Sequence, residues 1–87
     1  MVRIHEEFDV VIKAVTMVGS FVTMETADGG EGFIDQVKHP SWWSEEVPPP
    51  AAGDRLHVVV LDPSRTPPRL SALEKDIEIG RRFRSDD

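Results

Sequence analysis

The sequence predicts a small all-β domain, a five-stranded Greek-key β-barrel with a long loop between its third and fourth strands. Short segments with apolar residues at every second position indicate strands that bury one face. Turns rich in glycine or proline separate these segments, and one long proline-containing connection follows the third. With 87 residues and 39% hydrophobic residues, the chain is expected to build a single domain with a thin core.

The first two predicted strands contain both core positions and candidate binding residues. In residues 8–14 the apolar residues alternate, so Lys13 is expected to point to solvent. In residues 20–25 the same period puts Phe21 and Thr23 on the face opposite the core. The pattern therefore leaves an aromatic ring on a polar strand face.

A hairpin and a long connection follow. Asp28-Gly29-Gly30 predicts a tight turn, because glycine adopts positive φ at no steric cost, and residues 31–34 are the returning strand. The stretch 35–52 contains four prolines and no sustained period, so we expect a loop with one short helical turn near residues 41–46. Trp42 and Trp43 lie in it; we expect one to cap the barrel and the other to be exposed.

The fourth strand is the clearest, because residues 55–61 are a β-branched run that opens after Gly53-Asp54. A proline-rich turn leads to a short last strand over residues 69–73. The remainder is predicted to be a weak helix or a frayed tail. We therefore expect a barrel domain over residues 1–76 and a C-terminal tail or short helix over residues 77–87.

Composition narrows the class of function. The net charge of −6 disfavours an architectural DNA-binding protein, whose affinity comes mainly from Lys and Arg. There is no cysteine, the three histidines lack metal-ligand spacing, and no nucleophile or phosphate loop accompanies the carboxylates. We expect a binding protein rather than an enzyme, without metal or cofactor. Since no stretch is long and apolar enough for a membrane span, a cytoplasmic monomer with no membrane contact is expected.

Four motifs in order resemble the S-one domain, the RNA-binding repeat named for a ribosomal protein, which has an oligonucleotide-binding (OB) fold. They are Gly19-Ser20-Phe21-Val22, the turn and strand from Asp28 to Ile34, the segment from Gly53-Asp54 to Leu61-Asp62, and Arg69-Leu70-Ser71. The resemblance covers about residues 8–76. It implies that the domain binds single-stranded RNA in translation or RNA metabolism.

The resemblance also implies which residues form the RNA face. Phe21 matches the family's second aromatic residue, Asp62 matches its aspartate, and Arg65 or Arg69 stands for its arginine. Two positions depart from the family pattern. Val18 occupies the position of the first aromatic residue, and Asp35 occupies that of a histidine.

Two functions from different classes follow. In the first, Phe21 stacks a base beside Thr23, Asp62 completes the face, Arg65 and Arg69 hold phosphates, and Lys13 and Arg55 form a basic rim. In the second, the domain binds a basic protein partner through its acidic surface and Trp42-Trp43. The charge around Phe21 discriminates between them. The arginines of residues 81–84 are either a further basic patch or part of a disordered tail.

Overall fold

A computed structural model of the chain, which describes residues 2–27 and 29–85, is a closed five-stranded β-barrel, and it confirms the predicted fold class. The strands pair in the order β1-β2-β3-β5-β4, and β4 pairs with β1 to close the barrel. Only β3 and β5 are parallel among these pairs. The strands are β1 (Glu7–Val15), β2 (Gly19–Met24), β3 (Glu31–Asp35), β4 (Arg55–Asp62) and β5 (Arg69–Ser71).

The connection between β3 and β4 is the predicted long loop. It opens with a 3-10 turn (Gln36–Lys38) and the short helix α1 (Pro40–Trp43), and the longer helix α2 (Glu74–Ser85) follows β5. Asp28, part of the predicted hairpin turn, lies outside the described residues. Its neighbours Gly29 and Gly30 both have positive φ, as a glycine turn requires.

Alternate residues of the strands fill the barrel, as their period of two predicts. Val22 and Met24 of β2 point inward, so Phe21 and Thr23 point outward as expected. In β1 the prediction was wrong for Ala14, which is exposed, because a bulge between Ile12 and Ala14 shifts the strand register. The buried core cluster consists of Val10, Ile12, Val22, Met24, Ile34, Val58, Val60 and Leu70.

Helix α2 covers the outside of β4. Val59 of β4 is fully buried although it does not belong to the core cluster, and Gly80 lies so close that a Cβ there would be 2.9 Å from Val59 Cγ2. Ile77, on the same helix, is also buried. The boundary expected at residue 76 therefore falls within a helix that packs on the barrel.

The end of α2 is tied to the start of the barrel. Arg81 and Arg84 both donate to the carboxylate of Glu7, and the ring of Phe83 stacks on His5 with centroids 4.6 Å apart. The alternative of a disordered tail is therefore wrong for residues 81–84, and two of these arginines already have a carboxylate partner. No helix in the described part of the chain is long and apolar enough to cross a membrane.

Candidate nucleic-acid interface

One row of paired residues crosses the outside of the barrel. Phe21 of β2 pairs with Phe33 of β3, Phe33 pairs with Arg69 of β5, and Arg69 pairs with Asp62 of β4. Residues that pair directly across neighbouring strands have side chains on the same face. The fold thus brings together three of the residues predicted from the sequence, Phe21, Arg69 and Asp62, although up to 48 positions separate them in the chain.

The two phenylalanines form an aromatic surface at the centre of this row. Their ring centroids are 5.0 Å apart with an interplanar angle of 66°, an edge-to-face arrangement. Phe33 is buried whereas Phe21 is partly exposed, so Phe33 supports the ring that solvent can reach. Phe33 was missed in the sequence, because it lies between Gly32 and Ile34 in a short apolar run. Its outward position follows from strand alternation once Ile34 is placed in the core.

Arg69 is the cation nearest the aromatic surface. Its guanidinium carbon lies 4.5 Å from the centroid of the Phe33 ring, and Nη1 donates to Asp35 Oδ1 at 3.2 Å. The Nε atom is buried and has no hydrogen-bond partner among the described residues. Arg69 is therefore held in a fixed orientation by a cation–π contact and one carboxylate.

The turn between β4 and β5 carries the next two predicted residues. Asp62 accepts hydrogen bonds from the backbone N–H and the hydroxyl of Ser64 at 3.0 and 2.6 Å. These bonds hold the pKa of the Asp62 carboxyl below its usual value, and nearby Arg65 and Arg69 lower it further. Asp62 thus shapes the turn, while Arg65 is exposed and forms no ion pair with any described residue.

The predicted basic rim is paired with carboxylates. Lys13 Nζ lies 3.2 Å from Glu31 Oε2, and Arg55 binds Glu25 through two hydrogen bonds of 2.8 Å. With Arg69 and Asp35, three of the four predicted cations have an acidic partner. The charge around Phe21 was expected to discriminate between RNA binding and binding of a basic protein partner. These ion pairs leave that charge close to balanced.

The other predicted site residues, Thr23, Lys13 and Arg55, differ in how close they lie to the two phenylalanines. Thr23 is exposed and pairs with Glu31, the partner of Lys13, in the row next to Phe21. Arg55 pairs with Val11 at the start of β4, and no described contact brings it to Phe21. The structure therefore groups Thr23 and Lys13 with the aromatic surface but leaves Arg55 apart from it.

The tryptophans of α1 form a separate surface. Trp42 is 52% exposed and Trp43 is 66% exposed, so neither is enclosed, although Trp42 borders a pocket with Gly19 and Ser20 at the start of β2. Trp43 instead donates from Nε1 to the Val37 carbonyl at 2.8 Å. A groove of about 400 Å³ lies between Trp43 and the start of α2, where Leu73 forms part of its wall.

Helix α1 begins at a buried histidine. The backbone N–H of Ser41 donates to His39 Nδ1 at 3.1 Å, so the imidazole caps the helix as a neutral acceptor. Burial lowers the pKa of His39, and the Asp54 carboxylate partly offsets this effect. His39 thus has a structural role in positioning the tryptophans.

Comparison with known proteins supports the architecture. A solved structure of an uncharacterized protein from Methanocaldococcus jannaschii matches with a TM-score of 0.63, covering 85% of this chain and 96% of that one. The two sequences are 14% identical, so the likeness shows an OB-like barrel fold alone. No protein-family model matches the sequence, and no curated protein matches it either.

Proposed function

We propose that the domain binds single-stranded RNA by stacking a base on Phe21. The observation that carries this proposal is the row of Phe21, Phe33 and Arg69 on the outside of the barrel. A partly exposed ring supported by a buried ring offers an apolar surface with little side-chain entropy to lose. Bases of single strands are free to stack on such a surface, whereas bases within a duplex are not.

The cations around this surface favour phosphate contacts of modest strength. Arg65 forms no ion pair with the described residues, and Arg69 has further donor N–H groups beyond the one bound to Asp35. Because Lys13 and Arg55 are already paired with carboxylates, they contribute little to phosphate binding, and we expect weak affinity. Contacts to about two phosphates give a salt slope of roughly −1.4 for log K against log[salt].

The test compares two phenylalanine variants by fluorescence anisotropy with a labelled mixed-sequence RNA at low salt. Phe21→Leu keeps an apolar side chain against Phe33 but removes the stacking surface, so affinity should fall about five-fold or more. Phe83→Leu is the matched control, because Phe83 is also partly exposed but lies on α2 against His5. Equal affinities for the two variants would contradict the proposal.

A second function, of a different class, is binding of a basic protein segment at the tryptophan surface. The specific observation is that Trp42 and Trp43 are both more than half exposed beside the acidic side chains of Glu45 and Glu46, also exposed. A photo-crosslinking residue in place of Trp42 should then give a discrete protein adduct in host lysate. The same residue in place of exposed Ile79 serves as the control, and identical adduct patterns would argue against this function.

A further inference from the structure

We propose that Asp35 reads the edge of the bound base and gives the site a preference for guanine. The inference rests on the proposed function, because it requires a base stacked on Phe21. It gives Asp35 a function in binding, that of a hydrogen-bond acceptor for the base, although its negative charge repels the phosphates of RNA.

Asp35 stands at the edge of the aromatic surface. It is the last residue of β3, two residues after Phe33 and therefore on the same side of the strand. Its partner on β2 is Gly19, and a Cβ built there would lie 2.5 Å from Phe33 Cζ. The Phe33 ring thus extends over Gly19 towards Asp35, and no side chain from β2 separates the carboxylate from the ring.

The carboxylate of Asp35 has unused capacity to accept hydrogen bonds. Although Asp35 precedes the 3-10 turn, it makes no capping bond to it, and its side chain is 46% exposed. Among the described residues, only Arg69 Nη1 donates a hydrogen bond to this carboxylate, whereas a carboxylate can accept about four. Arg69 therefore fixes the orientation of Asp35 and offsets part of its charge, while leaving acceptor positions open.

An acceptor-only group discriminates among the bases. The Watson–Crick edge of guanine presents two adjacent donors, N1–H and the N2 amino group, which match the two oxygens of a carboxylate. Adenine and cytosine each present one amino group beside an acceptor nitrogen. Uracil presents a single N3–H donor between two carbonyl oxygens. A carboxylate repels these two oxygens. Guanine is therefore the base that can form two parallel hydrogen bonds with Asp35.

The test uses short uridine-rich RNAs that differ at one central base, with affinities measured by fluorescence anisotropy at low salt. The guanine-containing RNA should bind at least about five-fold more tightly than the all-uridine RNA, with adenine and cytosine between them. Inosine, which lacks the N2 amino group, should lose part of this gain. Equal affinities for all these RNAs would overturn the inference while leaving the proposed function in place.

A variant of Asp35 and a matched control variant test whether Asp35 causes the guanine preference. Asp35→Asn should abolish the guanine preference, so that the guanine-containing and all-uridine RNAs bind this variant with equal affinity. Glu31→Gln is closely matched, because Glu31 lies on the same strand and face, is 45% exposed and pairs with a cation at 3.2 Å. It should keep the preference. A preference that survives Asp35→Asn overturns the inference, and failure of every RNA to bind overturns the proposed function as well.

Discussion

The guanidinium carbon of Arg69 lies 4.5 Å from the centroid of the Phe33 ring, on the outside of the barrel rather than in its core. Strand pairing explains this contact, because β3 and β5 run side by side with Phe33 and Arg69 in register. Phe33 is thereby covered on one side by a cation and contacts the Phe21 ring in an edge-to-face arrangement. The arrangement places a guanidinium group directly beside the aromatic surface formed by Phe21 and Phe33.

Arg69 should contribute both charge and geometry to RNA binding. Arg69→Met should weaken binding and reduce the salt slope by about 0.7, the loss of one phosphate contact to a single strand. Arg69→Lys should keep most of the slope but still weaken binding, because lysine lacks the planar group that lies over Phe33. Anisotropy titrations at several salt concentrations measure both quantities. Arg82→Met, at an exposed arginine on α2, should change neither.

Gly19→Ala should disrupt the support of the aromatic surface. A Cβ at residue 19 would lie 2.3 Å from the Ile34 carbonyl oxygen and 2.5 Å from the Phe33 ring, so the backbone or the ring must move. Overpacking of this kind is expected to lower the free energy of unfolding by about 2 kcal/mol or more. Urea denaturation measures the loss, and unchanged stability would show that this close approach is absent.

Glu7 should anchor helix α2 to the barrel. Its side chain is only 10% exposed, and it accepts hydrogen bonds from Arg81 and Arg84 as well as lying 2.8 Å from His57 Nε2. Glu7→Gln should lower the free energy of unfolding by about 2 kcal/mol, because it removes the negative charge that Arg81 and Arg84 share. Glu78→Gln, at an exposed residue of the same helix, should cost less than about 0.5 kcal/mol in the same urea titration.

Stability should fall at mildly acidic pH because of His39. Burial lowers the pKa of His39 in the folded state, so the unfolded chain takes up a proton first as the pH drops below about 6.5. The free energy of unfolding therefore decreases from that pH downward until the folded state is also protonated. His39→Asn keeps a capping side chain without a titrating ring. Urea denaturation at pH 7.5 and pH 5 should show a smaller decrease for the variant than for the original chain.

The parts of this structure that sequence predicts are those controlled by local period and turn chemistry. Alternation in residues 20–25 placed Phe21 and Thr23 on the outer face, and glycine or proline marked the turns. The ion pairs were not predictable, because Arg55 and Glu25 are 30 positions apart and meet only through the barrel. The same reason hid the role of α2, because its Gly80 lies against Val59 of β4, which is distant in the sequence.

The balance of charge on the candidate face also depended on tertiary structure. Lys13, Arg55 and Arg69 are visible as basic residues in the sequence, yet each is paired with a carboxylate in the folded domain. The sequence left the charge around Phe21 open, because it does not show which carboxylate each of these cations meets in the fold. Stacking, rather than charge, is therefore the main physical basis of the proposed RNA binding.

The most direct test of the central claim is an amide chemical-shift titration of the isotopically labelled domain with a mixed single-stranded RNA at low salt. Our account predicts shifts that cluster on Phe21, Thr23, Phe33 and Arg69, decrease as salt is raised, and spare Trp42 of α1. Shifts confined to the tryptophan surface, or no shifts at any salt concentration, would contradict it.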